Sequence, residues 1–396
     1  MIDRSGRVVV MVDPLNYTPY YDINLCDALS AQGWKVEWLT SPYMFEIVHA
    51  PPSVVVRNVF LRFSCALMER VRWLERHPSI RRGIKAISYP FDLVRLDHEL
   101  AARTAGIVHV QWALFPVIDA VFWKRWQKKG WKIVYTAHDV DGLDGTTPKI
   151  LASSNRRLFR IADAVAAHSD RDCGHIVKFG VTPSHVRRIP QGTPGIFQPA
   201  QIKKHDAQRS LGINPGTPTI LFFGLLKAYK DFSTLLQAMV SVRARIPNVV
   251  LLVAGKPLTS YESYERKIIE LGLSDVVRWD RSYIPGSRVA TYFAASDLVA
   301  LPYRAASASA VLLNAYSHGL PAVATRVGAF PEMVEHRKTG LLVEPGAADE
   351  LGEALVALLI DPQLAREMGK RAREYAASNH EWPLIGRLTS DIYNSL

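Results

Sequence analysis

Short apolar runs separated by helical patterns recur along the whole chain and predict two successive sets of strands. The first set comprises residues 7–12, 35–39, 106–111, 132–136 and 162–167. The second set begins at Thr217 and continues through residues 248–254, 276–280, 298–301, 322–325 and 340–343. Strands that alternate with helices form parallel sheets covered on both faces. We therefore predict an α/β protein with two Rossmann-like parallel-sheet domains.

A stretch dense in proline and glycine lies between the two sets and is typical of a linker. It places the hinge near residues 192–215. The predicted domains are residues 1–195 and 196–376, and residues 377–396 follow as an amphipathic helix after Pro383. A length of 396 residues exceeds what one hydrophobic core usually covers, which agrees with two domains.

Cysteine usage and hydropathy favour a reduced, cytoplasmic setting. Cys26, Cys65 and Cys173 are scattered, with no CxxC pair or histidine cluster, which argues against a disulfide scaffold or a structural zinc site. The N-terminal apolar run, Val8 to Val12, is too short for a secretory signal or a membrane span. We expect any membrane contact to be peripheral, at the inner face of the cell membrane.

The formal net charge of +11 is concentrated in the N-terminal half, above all in residues 60–87. Cationic and apolar side chains alternate there: Arg62, Arg70, Arg72, Arg76, Arg81, Arg82 and Lys85 with Phe60, Phe63, Leu67, Trp73, Leu74 and Ile84. This mixture suits an anionic membrane surface, but it also suits a solvated face over a buried apolar stripe. Nucleic-acid binding is disfavoured because no recognisable nucleic-acid motif accompanies the charge.

A candidate anion site follows two strands of the second set. Gly224 ends an apolar run and is followed by Lys227 and Lys230, so two ammonium groups are expected to point at one anion. The small residues 305–310 open a helix led by Val311, where unpaired N–H groups and the helix dipole favour phosphate. The alternative is that both lysines are merely solvated on a first helical turn.

In the first domain, strand ends direct attention to residues 13–22, to Gln111 and Trp112, and to residues 137–141. No GxGxxG follows the first strand, so a dinucleotide-binding fingerprint is absent. Asp139, Asp141 and Asp144 are interpreted as cleft acids, a metal cluster, or loop and cap residues, and we expect no metal. His168 and Asp170 follow another strand end, where they shape the acceptor side or belong to the core.

Five segments of the C-terminal half together resemble the GT-B glycosyltransferases, specifically glycosyltransferase family 4. They are FGLLKAYKDFSTLLQA, NVVLLVAGKP, VVRWDRSYIPGSRVATYFAASDLVALPYR, the loop and helix around Val311, and GAFPEMVEHRKTGLLVEPG. The resemblance implies the GT-B architecture, in which two Rossmann-like domains face each other across a cleft. It also implies that residues 377–396 return to the N-terminal domain.

The same resemblance assigns roles to residues. It implies catalytic roles for His138, Asp139 and Lys230, with His138 beside the transferred sugar. Donor-binding positions are Gly224, Lys227, Lys230, Arg304, Ser307, Ser309, Ala310 and Val311, with the base near Tyr283 and Ile284. Many members carry two glutamates where this chain has Ala306 and Asn314. We interpret this as a variant site in which Asn314 hydrogen-bonds a ribose; the alternative is an inactive protein. Arg304 is equally compatible with an exposed structural role, and Glu332 is expected to order its own loop.

The implied activity is transfer of a sugar from a UDP- or GDP-sugar to a glycolipid or lipid-linked exopolysaccharide precursor, without a cofactor. The family resemblance implies retention of stereochemistry and metal independence. An inverting reaction would need a general base, for which Asp22 and Asp139 are the first candidates. The alternatives are a sugar-nucleotide epimerase and a noncatalytic nucleotide-binding scaffold of the same fold.

Overall fold

The protein is represented by a computed structural model that describes residues 7–42, 46, 48–71, 77–142, 149–193, 202–258 and 261–396. The chain divides into two compact units. The first contains the chain up to Gly142, its continuation as far as Pro190, and Trp382–Leu396. The second extends over Gln191–Glu381. Residues 191–193 and 377–381 therefore lie in the second unit.

The helices and strands follow one another in strict alternation over most of the chain. The first unit contains β1 Val8–Asp13, α1 Pro19–Ala31, β2 Lys35–Thr40, β3 Val55–Asn58, α2 Arg62–Arg70, α3 Pro78–Ala101, β4 Ile107–Val110, α4 Pro116–Lys128, β5 Lys132–Ala137, α5 Lys149–Ile161, β6 Ala164–Ala167, α6 Asp170–Lys178 and β7 Val186–Arg188. The second contains α7 Lys204–Ser210, β8 Thr219–Phe223, α8 Phe232–Arg245, β9 Val250–Ala254, α9 Glu262–Glu270, β10 Val277–Asp280, α10 Gly286–Ala294, β11 Leu298–Leu301, α11 Ala310–Ser317, β12 Ala322–Thr325, α12 Phe330–Met333, β13 Gly340–Val343, α13 Ala348–Ile360 and α14 Pro362–Asn379. The last helix, α15 Trp382–Asn394, belongs to the first unit. Within the described residues, no helix is long and apolar enough to cross a membrane.

The first unit is a parallel sheet in the order β3-β2-β1-β4-β5-β6-β7. Side chains of a strand alternate between the two faces, so Val9 and Met11 belong to one core and Val10 and Val12 to another. The chain builds β2 and β3 on one side of β1 and then resumes on the other side with β4. The loops after β1 and β4 therefore diverge, which opens a crevice at the carboxyl ends of these strands.

The second unit repeats this plan with a parallel sheet in the order β10-β9-β8-β11-β12-β13. Its core is one continuous cluster in which Ile220, Leu221, Val299 and Val323 are fully buried. Here the order reverses between β8 and β11. Ligands of such sheets bind outside the carboxyl ends at this reversal.

The predicted fold class is confirmed, since both sheets are parallel and carry helices. Two strands, β3 and β7, were not predicted from the sequence. β3 lies at the sheet edge with Val55 58% exposed, and β7 is a three-residue strand at the other edge that ends in two exposed arginines. Neither has the apolar run that marks a buried strand. The predicted linker also contains a helix, α7. Arg72 and Arg76 lie outside the described residues, as do the side chains of Arg81 and Arg82.

The C-terminal helix α15 packs on α1 and is held by buried polar contacts. Trp34 Nε1 donates to Ser390 Oγ at 2.9 Å, and the Tyr393 hydroxyl lies 2.5 Å from His109 Nδ1. A Cβ at Gly386 would lie only 2.8 Å from the Ala28 carbonyl oxygen, so glycine permits the close approach of the two helices. Burial also lowers the pKa of His109 to about 3, which keeps this imidazole neutral at ordinary pH.

We expect Tyr393→Phe to lower the free energy of unfolding by about 1–3 kcal/mol, because it leaves His109 Nδ1 buried without its partner. Urea denaturation measures this change. Tyr375→Phe is the matched control, since its hydroxyl bonds a carbonyl at a half-buried position in the second unit. Equal effects of the two substitutions would contradict a special role for the His109 contact.

Candidate active site

The two segments predicted to share one site, which follow β8 and open α11, meet where the sheet order of the second unit reverses. Gly224 follows β8 with a φ of +93°, a conformation that favours glycine. A Cβ at Gly224 would lie 2.8 Å from Lys230 Nζ and 3.7 Å from Val311 Cγ2. The lysine and the start of α11 therefore meet over the end of β8.

Lys230 is buried, with 6% of its surface exposed. Its Nζ donates to the Phe223 carbonyl oxygen at 3.1 Å and lies 5.4 Å from the centre of the Tyr303 ring. Burial, and secondarily the nearby charge of Lys227, lowers the pKa of Lys230 to about 7. A bound anion would restore the charged form. The alternative of a solvated lysine is wrong for Lys230, whereas Lys227 is partly exposed just before the short 3-10 turn Ala228–Lys230.

Ala306, Ser307 and Ser309 in the loop before α11 are buried, and the first N–H groups of this helix point along its axis. Ser309 caps the helix: its side chain accepts from the Leu312 N–H at 3.3 Å, and its carbonyl accepts from the Leu313 N–H. Among the described contacts, this leaves the N–H groups of Ala310 and Val311 for a ligand. The arrangement suits phosphate or another anion.

The same loop is also held by close packing against the backbone that follows β12. Gly328 has a φ of +54°, and a Cβ there would lie 1.4 Å from the Ala306 carbonyl oxygen. Ser307 in this loop is also buried. The sequence had not singled out Gly328, although its position after the β12 strand was a signal for a close backbone approach.

Asn314 lies one turn into α11 and carries an unsatisfied acceptor. It is 5% exposed, and its Oδ1 has no hydrogen-bond partner among the described residues. A buried polar atom without a partner is costly. A ligand hydroxyl that donates to Oδ1 would remove this cost.

Arg304 is engaged within the unit. Its Nε contacts Asp231 Oδ2, and its backbone N–H donates to the Tyr229 carbonyl oxygen. Asp231 in turn caps α8 by accepting from the Thr234 N–H. These contacts tie the loop after β11 to the loop after β8. Sequence reasoning missed Asp231, although an aspartate directly before an apolar helical pattern is a helix-start signal.

The other positions of the second unit are placed as follows. Ile284 belongs to the hydrophobic core, so a nucleotide base near it would meet the main chain rather than this side chain. Tyr283 precedes it in the loop after β10 and is partly exposed. Glu332 lies in α12, and its carbonyl accepts from the Tyr375 hydroxyl.

In the first unit, His138 belongs to a chain of hydrogen bonds at the ends of β4, β5 and β6. His168 Nδ1 donates to the Ile189 carbonyl oxygen, since that oxygen only accepts. His168 Nε2 lies 3.0 Å from His138 Nδ1. His138 Nε2 lies 2.9 Å from Gln111 Oε1, and the Gln111 NH₂ group donates to Met11 Sδ.

Both ring nitrogens of His138 are thus occupied inside the unit. Burial, followed by the charges of neighbouring histidines, holds its pKa well below the usual range. Its ring stacks on Trp112 with centres 5.0 Å apart, and Tyr21 meets it edge-on. These contacts fix the orientation of the His138 ring, and its lowered pKa keeps the ring neutral. His138 is therefore poorly suited to transfer a proton.

The aspartates near His138 serve local contacts. Asp139 Oδ1 accepts from the Gly142 N–H, and Asp141 pairs with Arg171 and His175. Burial opposes ionisation of Asp141, but these partners outweigh it and lower its pKa. Asp144 lies outside the described residues, and Asp170 pairs with Arg188 on the surface. The described part of the chain contains no group of three or more His, Cys, Asp or Glu side chains placed to hold a metal ion.

Asp13 and Asp22 form a buried carboxyl pair beside the β1–α1 loop, and neither is exposed. Asp13 accepts from the backbone N–H groups of Leu15, Tyr17 and Thr18 at 3.1, 2.7 and 3.3 Å. Burial and the neighbouring Asp13 raise the pKa of Asp22 well above its usual value. Asp22 therefore holds its proton to a higher pH than a free aspartate, and its burial keeps it from acting as a base on an acceptor.

Comparison with known proteins matches this geometry to a family. The model of the glycosyl transferases group 1 matches residues 203–375, and that of glycosyltransferase family 4 matches residues 21–194. Two parallel-sheet units with these helices are the GT-B glycosyltransferase architecture. The chain belongs to the family 4-like glycosyltransferases of this class and is a nucleotide-sugar-dependent enzyme.

Individual relatives are distant but extend over most of the chain. A D-inositol 3-phosphate glycosyltransferase of Segniliparus rotundus is 28% identical over 73% of this chain and 70% of its own length. One from Corynebacterium jeikeium is 28% identical over 86% and 88%. Among solved structures, sucrose-phosphate synthase of Thermosynechococcus elongatus has a TM-score of 0.75 at 20% identity, covering 98% of both chains. Anabaena HepE with UDP and glucose has a TM-score of 0.72 at 18% identity, covering 99% of this chain and 100% of its own.

We expect Asp22→Asn to raise the free energy of unfolding at pH 7. Asparagine still donates to Asp13, and the variant no longer takes up a proton on folding. Because the folded pKa of Asp22 is raised, wild-type stability falls as the pH rises above about 4, so the advantage of the variant grows over that range. Urea denaturation between pH 4.5 and 7.5 measures it.

Asp13→Asn is the matched comparison. It weakens the acceptor for three backbone amides and should destabilise the protein by about 1–3 kcal/mol. An Asp22→Asn variant that is less stable than wild type at pH 7 would contradict the proton uptake on folding that the raised pKa of Asp22 implies.

Proposed function

We propose that this glycosyltransferase moves a sugar from a UDP- or GDP-sugar to a glycolipid or lipid-linked exopolysaccharide precursor, with retention at the anomeric carbon. The bond between the anomeric carbon and the diphosphate oxygen breaks, and a bond from the acceptor hydroxyl oxygen to that carbon forms. The acceptor proton passes to the departing phosphate oxygen. No external oxidant or reductant is needed.

The convergence of Gly224, Lys230 and Val311 carries this proposal. Breaking the anomeric bond places negative charge on the diphosphate, and fixed positive groups must stabilise it. Lys230 Nζ and the free N–H groups of Ala310 and Val311 supply such groups around one point. The buried Asn314 oxygen, one helical turn further, is suited to a ribose hydroxyl.

The absence of a usable base among the two predicted candidates favours retention. Asp22 is fully buried with a raised pKa beside Asp13, and Asp139 Oδ1 is occupied by the Gly142 N–H. A front-face reaction does not need a protein carboxylate. It also tolerates Ala306 and Asn314 where many relatives have glutamates.

Names of similar proteins support the donor and leave two acceptor types to be tested. Structures of Anabaena HepE contain UDP, UDP and glucose, or UDP-glucose, and WaaG is described as acting in lipopolysaccharide biosynthesis. These favour a UDP-sugar and a lipid-linked acceptor. The relatives named D-inositol 3-phosphate glycosyltransferase favour a small phosphorylated acceptor as the second candidate.

The first experiment incubates the purified protein with a panel of UDP- and GDP-sugars, alone, with lipid extract, or with inositol phosphate. We expect donor consumption and a labelled lipid product, and we expect EDTA to leave turnover intact because Lys230 and the start of α11 supply the positive charge. A changed sugar nucleotide without an acceptor would indicate an epimerase. Tight binding without turnover would indicate a scaffold.

We expect Lys230→Met to reduce kcat/KM for the donor by about 100-fold or more, since it removes a buried cation at the diphosphate position. Steady-state kinetics of donor consumption measures the loss. Lys338→Met, at an exposed position of the same unit, serves as the control for lost charge. Turnover within twofold of wild type would exclude Lys230 from the site.

UDP affinity should fall as the pH rises above about 7. The free enzyme holds Lys230 with a pKa of about 7, and a bound diphosphate raises this pKa because it favours the ammonium form. Binding therefore takes up a proton above pH 7, and affinity declines there by up to about tenfold per pH unit. Calorimetry in two buffers of different ionisation enthalpy detects the proton. The Lys230→Met variant should lose both the uptake and the pH dependence.

A further inference from the structure

The first unit contains a cavity of about 510 Å³ that the reaction proposed above does not use. It lies where β2 and β3 end, against the start of α2 and one face of α3. Its lining includes Arg57, Arg62, Cys65, Asp92, Arg95 and Glu99. It lies at the carboxyl ends of the strands, as do the loops after β1 and β4, since all these strands are parallel.

The acidic groups of this cavity already have partners. Glu99 pairs with Arg57 and Arg103, and Asp92 accepts from the Leu61 N–H at 2.8 Å. Arg62 and Arg95 are exposed. Burial raises the pKa of Asp92, and the nearby charge of Arg95 opposes this shift. Both guanidinium groups remain exposed at the rim, where they can face an anion.

An apolar stripe borders the cavity on α3. Ile80, Ile87, Phe91 and Val94 follow one another at spacings of seven, four and three residues, which places them on one face of the helix. All four are exposed, Ile87 and Phe91 each by 70%, and Phe63 on the adjacent helix α2 is also 70% exposed. An exposed apolar face of this kind beside cations is typical of an interaction surface rather than of an ordinary solvent-facing helix.

We propose that this cavity binds the phosphate headgroup of an anionic lipid in a bilayer, while Phe63, Ile87, Phe91 and Val94 enter the interface beside it. Arginine pairs well with phosphate, and apolar side chains next to cations are what an anionic membrane surface attracts. The proposal deepens the proposed function, on which its biological meaning rests, by assigning a headgroup site. A soluble phosphate compound would satisfy the arginines but not the apolar stripe.

The test is flotation of the full chain with phosphatidylglycerol vesicles and with phosphatidylcholine vesicles. We expect binding to the anionic vesicles only, weakened by salt. The double variant Arg62→Gln with Arg95→Gln should reduce the partition coefficient by about tenfold or more, because each cation near an anionic surface contributes separately. The double variant Phe63→Ser with Phe91→Ser should reduce it comparably.

Matched controls lie in the second unit. Arg245→Gln with Arg371→Gln removes the same charge, and Ile269→Ser with Ile360→Ser removes apolar side chains of similar exposure. Both controls should bind vesicles like wild type. Equal losses in the controls, or equal binding to both kinds of vesicle, would overturn the headgroup site. Binding of inositol phosphate or glycerol phosphate that depends on Arg62 and Arg95, without vesicle binding, would overturn the lipid as its source.

Donor hydrolysis in buffer without vesicles separates this proposal from the proposed function. The two double variants, Arg62→Gln with Arg95→Gln and Phe63→Ser with Phe91→Ser, should hydrolyse the donor like wild type, because their side chains belong to neither the diphosphate site nor its supports. If no sugar nucleotide is consumed while vesicle binding still depends on these residues, the proposed function fails and the headgroup site stands.

Discussion

A buried ammonium at the end of a parallel strand is the constraint on which the second unit depends. Enclosing Lys230 is unfavourable, because burial removes the hydration of its charge, and this cost appears as a pKa of about 7. The Phe223 carbonyl and the Tyr303 ring compensate only in part. A bound diphosphate would complete the compensation. The position where the sheet order reverses therefore favours binding of an anion.

The first unit meets its buried polar groups differently. Its strand ends carry a hydrogen-bonded chain, from Gln111 through His138 and His168 to a carbonyl, beside the buried carboxyls of Asp13 and Asp22. The chain occupies both ring nitrogens of His138 within the unit and fixes the orientation of that ring. The second unit therefore differs from the first in holding a buried cation that a bound anion would stabilise.

Much of the fold was predictable because buried parallel strands are continuous apolar runs. The strands around Val10, Leu221 and Val323 stand out for that reason, whereas β3 and β7 do not, since edge strands need no apolar run on both faces. Ser309 and Val311 were placed correctly at the start of α11, because small residues after a buried strand are typical of such a helix start.

The sequence alone determined the family and the α/β plan with two parallel sheets, because these depend on local patterns along the chain, and it predicted where the donor site lies. Only the tertiary structure decided that Lys230 is buried rather than solvated, that Asp22 is enclosed beside Asp13, and that Arg304 is held by Asp231. Those outcomes depend on which side chains distant segments bring together. Burial and pairing are properties of such contacts, and no local pattern contains them.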